Sequence, residues 1–242
     1  MNIMIKLQYD GTDFCGSQKQ TDVRTVQGDI EKGLSELYRK NIKTIFSGRT
    51  DSGVHAKQQV LNFNTENSSI PPEKIIHPLN AILPDDILAL SSRQVPDDFN
   101  SRFDAKKRTY KYFTRTGYNI FRKKYSCLIN KDLDIDELNK FSAFFKGRKD
   151  FTSFCSSKTE VSNHICNISE LYFYKDDDEF VMHISADRFL HNMVRIIMSL
   201  FVEINRGSIH PDNIRTILEK RDRSFSPKTF PPHGLFLWKV EY

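Results

Sequence analysis

The chain has 242 residues, a mass of 28.3 kDa, 38% hydrophobic residues and a net charge of +5. With 19 Phe and 9 Tyr it carries enough apolar side chains to exclude a disordered protein, and its length suits one large core or two small domains. No run of about 18 apolar residues is present, which argues against a membrane span. The first residues pass directly into an alternating strand pattern without a signal-peptide core, so we expect a cytoplasmic protein. The cysteines lack C-x-x-C spacing and predict neither a zinc site nor a disulfide framework.

The first half of the chain alternates strand and helix patterns. The successive elements are a strand over residues 3–9, a helix over 26–38 capped by Thr25, strands over 43–46 and 58–63, a short helix opened by Pro71 and Pro72 and ended by Pro78, and a strand over 87–95. This order is βαββαβ, the ferredoxin-like unit.

The second half repeats that order. The elements are a strand over residues 108–114, a helix with an Asp134–Glu137 capping box, a hairpin of 168–174 with 180–186, an apolar helix over about 189–205 ending near Gly207, a helix over about 211–220, and a strand over 235–240. The sequence therefore predicts an α+β fold of two ferredoxin-like, RRM-like units, residues 1–104 and 105–242. Their antiparallel sheets are expected to merge into one platform.

Residues 47–56, Ser-Gly-Arg-Thr-Asp-Ser-Gly-Val-His-Ala, lie between two strand patterns. Glycine allows the positive φ or close approach that a tight turn needs, and such a turn can aim the Asp51 carboxylate and the Arg49 cation at a ligand. Composition alone would indicate an ordinary surface turn.

Residues 105–131 contain no acidic residue, but they carry nine Lys or Arg side chains interleaved with six Tyr or Phe side chains. Cations neutralise phosphates and aromatic faces stack on unpaired bases, so this run predicts contact with nucleic acid. A solvated basic strand with core aromatics would give the same pattern.

The order of the residues in the turn carries more information than its composition. Residues 48–56, followed by Gln59, Val60 and Phe63, resemble the active-site signature of the tRNA pseudouridine synthase A family, with Ser52 where alanine is commoner. The resemblance implies that Asp51 is the catalytic residue. Arg49 would then enter the space left by an extruded uridine or grip a phosphate.

Further motifs resemble the same family over nearly the whole chain. Residues 9–20 resemble Tyr-Asp-Gly-Thr-x-Phe-x-Gly-Trp-Gln-x-Gln, with Ser17 at the tryptophan. Residues 107–112 resemble its basic strand and place Tyr110 at its substrate tyrosine. Residues 189–195 resemble its Phe-Leu-His-x-Met-Val-Arg helix and make Arg195 the charge partner of Asp51, although Asp187 is an alternative acid. Residues 231–237 resemble its Pro-Pro-x-Gly-Leu-x-Leu element and place Leu235 against the pyrimidine.

The resemblance implies a pseudouridine synthase fold and isomerisation of uridine at positions 38, 39 and 40 of the tRNA anticodon stem-loop, with base flipping. It implies a homodimer that binds tRNA and needs no cofactor or metal. Asp51 could attack C1′, attack C6 or remove the C2′ proton, and the sequence does not choose among these. Two other classes remain open: a non-catalytic RNA-binding protein, and a metal-dependent hydrolase using Asp51 and His55.

Overall fold

The structure is a computed structural model that describes residues 1–66, 70–157 and 162–242. Helices and strands alternate along the chain, which confirms the predicted α+β class. The chain forms two compact units, one of Met1–Lys106 with Phe236–Tyr242 and one of Lys107–Leu235. The last residues therefore group with the first unit, whereas the sequence assigns them to the second.

The α-helices and strands that the structure describes in the first unit, before the second unit begins, are β1 (Asn2–Tyr9), α1 (Val26–Tyr38), β2 (Thr44–Phe46), β3 (His55–Asn64), α2 (Ile76–Ile82) and β4 (Ile87–Val95). β1 is the central strand, antiparallel to β3 on one side and to β4 on the other, while β2 pairs with β3. Ile3, Ile5 and Leu7 of β1 are fully buried, as the alternating pattern predicts.

Local sequence explains both helices of this unit. The hydroxyl of Thr25 accepts a hydrogen bond from the Gly28 N–H at 3.2 Å and caps α1 as predicted. The prediction that Pro78 ends the second helix is wrong, because α2 continues to Ile82. Pro78 stands in the first turn of α2, where the backbone N–H groups have no partner within the helix, so proline costs little there.

The second unit contains β5 (Lys107–Arg115), β6 (Cys127–Leu128), α3 (Ile135–Ser142), β7 (Gly147–Asp150), β8 (Ile165–Asp176), β9 (Glu179–Ala186), α4 (Met193–Arg206) and α5 (Asn213–Lys220). β9 lies between β5 and β8, and β7 extends the sheet beyond β8; all three pairings are antiparallel. Neither β6 nor β7 was predicted, since strands of two and four residues show no periodicity.

The last strand, β10 (Leu235–Glu241), runs parallel to β3, with Phe236 opposite His55. β6 likewise runs parallel to the end of β5. Each unit therefore contains parallel as well as antiparallel pairings, whereas the sequence predicts antiparallel sheets. A hairpin forces neighbouring strands to run antiparallel, but β10 reaches β3 after a long excursion of the chain, so a parallel direction is open to it.

The caps of α3 and α4 depart from the sequence patterns. Asp134 accepts from the Glu137 N–H at 3.0 Å, but the Asp134 N–H donates to the Asn205 side chain, so only half of the capping box forms. α4 begins at Met193, not near residue 189, because Asn192 has a left-handed φ of 65°. It ends at Gly207, whose φ is 82°, as predicted. Within the described ranges, no helix has the length and apolarity needed to cross a membrane.

Candidate active site

Asp51 lies in the loop that joins β2 to β3, in the first unit. The Val54 N–H donates to the Asp51 carbonyl at 3.1 Å, closing a β-turn whose third residue, Gly53, has a φ of 74°. An L side chain is strained at that φ, so glycine is required there. The Ser52 hydroxyl donates to the Phe14 carbonyl at 3.0 Å and joins the turn to the loop between β1 and α1. Asp51 itself is half-buried.

The loop between β1 and α1 holds the residue before Asp51. The Thr50 N–H donates to the Ser17 hydroxyl at 2.8 Å, and the Ser17 N–H donates to the Thr50 carbonyl at 3.0 Å. Gly16, with a φ of 95°, allows this approach, since a Cβ there would lie 2.9 Å from the Thr50 carbonyl oxygen. The β1–α1 loop and the β2–β3 loop are thus joined through the N–H and the carbonyl of Thr50.

A buried set of side chains supports the same loop from the sheet. The Tyr9 hydroxyl and the Thr50 hydroxyl share a hydrogen bond of 2.7 Å. Gln59 of β3 accepts from the Ser47 hydroxyl at 2.7 Å and donates to the Gly48 carbonyl at 3.0 Å. Burial raises the pKa of Tyr9 to about 12, so its hydroxyl keeps its proton at neutral pH.

His55 follows the turn and is almost completely buried. Its Nδ1 accepts from the Gly11 N–H at 3.0 Å, its ring stacks on Phe236 at 4.6 Å, and the Asp10 carboxylate lies 3.1 Å from the same nitrogen. Gly11 has no room for a side chain, because a Cβ would lie 2.1 Å from the Val54 carbonyl oxygen. His55 therefore packs the signature against the first motif. No group of three or more His, Cys, Asp or Glu side chains in the described residues could hold a metal ion.

Arg49 is exposed beside Asp51, and a second cation, Arg102, lies near it. Desolvation and the positive charge of Arg102 lower the pKa of Arg49, because burial and a nearby like charge both disfavour the charged form. Arg102 was missed by the sequence reasoning, since a single arginine in a turn gives no signal. Its turn is fixed by the Ser101 N–H, which donates to Asn62 of β3 at 2.9 Å.

Tyr110 and Arg195 lie in the second unit. Tyr110 of β5 is 7% exposed and packs edge-on against Phe189, with ring centroids 5.1 Å apart. Arg195 is half-buried in the first turn of α4; its Nε donates to the Phe230 carbonyl at 2.8 Å and its Nη1 donates to the Asn192 side chain at 2.9 Å. Part of the Arg195 guanidinium therefore fixes the chain at Phe230.

Leu235, the remaining predicted site residue, is 4% exposed and follows a tightly packed turn. Its N–H donates to the Pro232 carbonyl at 2.9 Å. Gly234 has no space for a side chain, because a Cβ would lie 2.5 Å from the Phe113 carbonyl oxygen. Tyr112 donates its hydroxyl proton to the Pro231 carbonyl, and burial raises its pKa well above the ordinary value. Residues 231–235 are therefore closely packed and hydrogen-bonded.

The basic run does not present a uniform positive surface. Arg115 is buried, the Lys107 ammonium lies 3.7 Å from Glu170, and the Arg122 Nε donates to Glu179 at 3.0 Å. Lys106 and Lys123 are exposed. Of the interleaved aromatics, Tyr118 and Phe121 are 74% and 84% exposed, whereas Tyr110, Tyr112 and Phe113 are buried. The sequence pattern thus combines surface and core residues.

The four cysteines are thiols, not disulfides: Cys127, Cys155 and Cys166 are buried, and Cys15 is exposed two residues before Ser17. Burial raises the pKa of Cys127 and raises that of Cys166 to about 12.

The Asp51 carboxylate lies on a loop of an α+β fold, with the cations Arg49 and Arg102 in the same unit. Comparison with known proteins identifies the class of enzyme. Residues 6–104 and 142–242 match the family described as tRNA pseudouridine synthase. Relatives named tRNA pseudouridine synthase A agree over nearly their full lengths. That of Clostridium acetobutylicum is 42% identical, covering 100% of this chain and 99% of its own. That of Bacillus subtilis is 40% identical with the same coverage, and that of Exiguobacterium sibiricum is 40% identical, covering 98% of this chain and 94% of its own. The chain belongs to the tRNA pseudouridine synthase family of RNA-uridine isomerases.

Proposed function

We propose that this protein isomerises uridine to pseudouridine at positions 38, 39 and 40 of the tRNA anticodon stem-loop, and that it does so in the cytoplasm. The observation that carries the proposal is the placement of Asp51 on a turn whose neighbours are held by Ser17, Tyr9 and Gln59. A carboxylate that must meet one atom of a flipped nucleotide gains from such fixed geometry.

The reaction breaks the N1–C1′ bond, rotates the uracil and forms the C5–C1′ bond. N1 gains a proton and C5 loses one, so the reaction is redox-neutral and consumes no co-substrate. Asp51 is the proposed catalytic group, by attack at C1′, by attack at C6 or by removal of the C2′ proton. Tyr110 or water would accept the C5 proton after the base has rejoined the sugar.

Arg49 is proposed to act in nucleotide extrusion together with the neighbouring cation Arg102. Unstacking a base costs a few kcal/mol, which a cation can offset by entering the vacated space or by binding a phosphate. The charge of Arg102, which together with desolvation lowers the pKa of Arg49, supports this role, because a bound phosphate would offset the repulsion between the two cations.

Three residues of the second unit are also proposed to act on the substrate. Tyr110 would stack on the flipped base, Leu235 would form an apolar wall over the pyrimidine, and Arg195 would act as the charge partner of Asp51. We further propose that the protein acts as a homodimer with the tRNA lying across both subunits. These roles come from the family resemblance.

The test uses an unmodified tRNA transcript in which all uridines, including those at positions 38, 39 and 40, are 5-tritiated. The purified protein should release tritium from this transcript in the presence of a chelator, and mapping should place pseudouridine at those positions. A matched transcript with cytidine at the three positions should release none. Metal-dependent cleavage of the transcript without tritium release would favour the hydrolase alternative, and tRNA binding with neither cleavage nor release would favour a non-catalytic RNA-binding protein.

The ion pairs of the basic run lead to a prediction about salt dependence. Lys106→Ala with Lys123→Ala should reduce the slope of log affinity for tRNA against log salt by up to about 1.8, at roughly 0.9 per phosphate contact as for duplex DNA. Lys107→Ala with Arg122→Ala removes the same charge, but Glu170 and Glu179 already neutralise it, so the slope should change less. Filter binding at several salt concentrations measures both. Equal slopes in all three proteins would place the RNA elsewhere.

A further inference from the structure

Ser17 stands where the resembling family motif has tryptophan, and the sequence alone suggests only the loss of an aromatic surface. The structure shows a different situation. Ser17 is 1% exposed, and its hydroxyl accepts from the Thr50 N–H at 2.8 Å. The same hydroxyl lies within hydrogen-bonding reach of the buried Tyr9 hydroxyl. A side chain buried this deeply is part of the site's support and presents no surface to RNA.

The two hydrogen bonds between Ser17 and Thr50 act on both peptide groups that flank Thr50. The Thr50 N–H belongs to the peptide that links it to Arg49, and this N–H donates to the Ser17 side chain. The Thr50 carbonyl belongs to the peptide that links it to Asp51, and this carbonyl accepts from the Ser17 N–H at 3.0 Å. Because each peptide group is planar, fixing one atom restrains the whole group.

We propose that Ser17 is a positioning residue for Asp51 and Arg49: its hydroxyl fixes the peptide before Thr50, and its backbone fixes the peptide after it. The inference rests on the proposed function of Asp51. Any residue at position 17 can make the backbone bond, so the serine hydroxyl is the part that only the side chain supplies. It also satisfies the hydrogen-bonding requirement of a buried N–H.

The experiment compares Ser17→Ala, which removes the hydroxyl, and Ser17→Cys, which keeps the shape but is a weak acceptor. We expect the single-turnover rate constant on tRNA, which we take as kcat, to fall about tenfold to a hundredfold in both variants. A small misplacement of reacting groups lowers the rate by a factor of this size. The Kd for tRNA should stay within about twofold of the wild-type value. Ser92→Ala is the matched control, because Ser92 is 7% exposed in the same unit and donates to the Pro72 carbonyl at 2.6 Å.

A second measurement follows the hydrogen bond without activity. In Ser17→Ala, hydrogen exchange at the Thr50 amide should speed up at least about tenfold, whereas the Ser47 amide, which donates to the Val60 carbonyl at 2.8 Å, should be unchanged. A kcat in Ser17→Ala equal to that of the wild type, or an equal loss in Ser92→Ala, would overturn the positioning role. Absence of tRNA turnover in the wild type would instead overturn the proposed function, so the two failures are distinguishable.

Discussion

Asp51→Asn is expected to abolish isomerisation, with a loss of at least about a thousandfold in tritium release from 5-tritiated uridine tRNA. Asparagine keeps the shape of the side chain but has neither the negative charge nor the basicity that attack or proton removal requires. Asp51 is half-buried on a turn closed by backbone hydrogen bonds, so we expect the variant to fold normally. Its affinity for tRNA should be nearly unchanged.

Asp13→Asn is the matched control for this prediction. Asp13 is an exposed carboxylate in the loop between β1 and α1, next to the Phe14 that contacts the turn. It should retain wild-type turnover. If purified Asp51→Asn keeps more than a small fraction of wild-type tritium release, Asp51 is not the catalytic group.

Arg195→Met is expected to lower turnover about a hundredfold, in the range found when one charged or polar group that stabilises a transition state is removed. The proposed reason is that the Asp51 carboxylate loses its charge partner. Arg195→Lys should restore activity only in part, because lysine cannot reproduce the planar, multidentate geometry of a guanidinium. Single-turnover rates of the three proteins on the same tRNA measure this.

Two further variants separate this role from the structural contacts of Arg195. Asn192→Gly removes the side chain that accepts from Arg195 Nη1 while keeping a residue suited to the left-handed φ, so its turnover should fall much less. If Arg195 acts through Asp51, the loss from Arg195→Met should be much smaller in the Asp51→Asn background than in the wild type. Multiplicative losses would assign Arg195 to a structural pair with another acid.

Hydrophobic periodicity predicted most of the fold, because strands such as β1 and helices such as α1 and α4 bury one face or all faces in a regular pattern. It failed where tertiary contacts decide the outcome. The Asp134 N–H bonds Asn205 and not its local capping partner, and α4 starts late because of the backbone conformation of Asn192. The direction of β10 depends on which strand it meets, which no local pattern encodes.

The candidate site was predicted from the order of residues 48–56. The order of residues in a motif distinguishes one family of sites from another, whereas amino-acid composition does not. The sequence reasoning missed the contributions of residues that approach the site only in the folded structure. Arg102 is far from Arg49 in sequence, and the Ser17 hydroxyl has meaning only once the Thr50 N–H faces it. Within the basic run, the sequence could not separate exposed Lys123 from buried Arg115. The alternation of surface and core side chains depends on the sheet that β5 joins.

The distribution of the thiols gives the molecule a built-in reporter position. Three cysteines are buried, two of them with raised pKa values, so neutral maleimide reagents should modify Cys15 selectively. The Cys15 N–H donates to the Arg24 carbonyl at 2.9 Å, which fixes the backbone of Cys15 in the same loop whose Ser17 binds Thr50. A fluorophore at this natural thiol would therefore sit close to the signature turn without any engineered cysteine. Its emission could follow, in real time, the arrival of an RNA ligand at the side of the protein that carries Asp51.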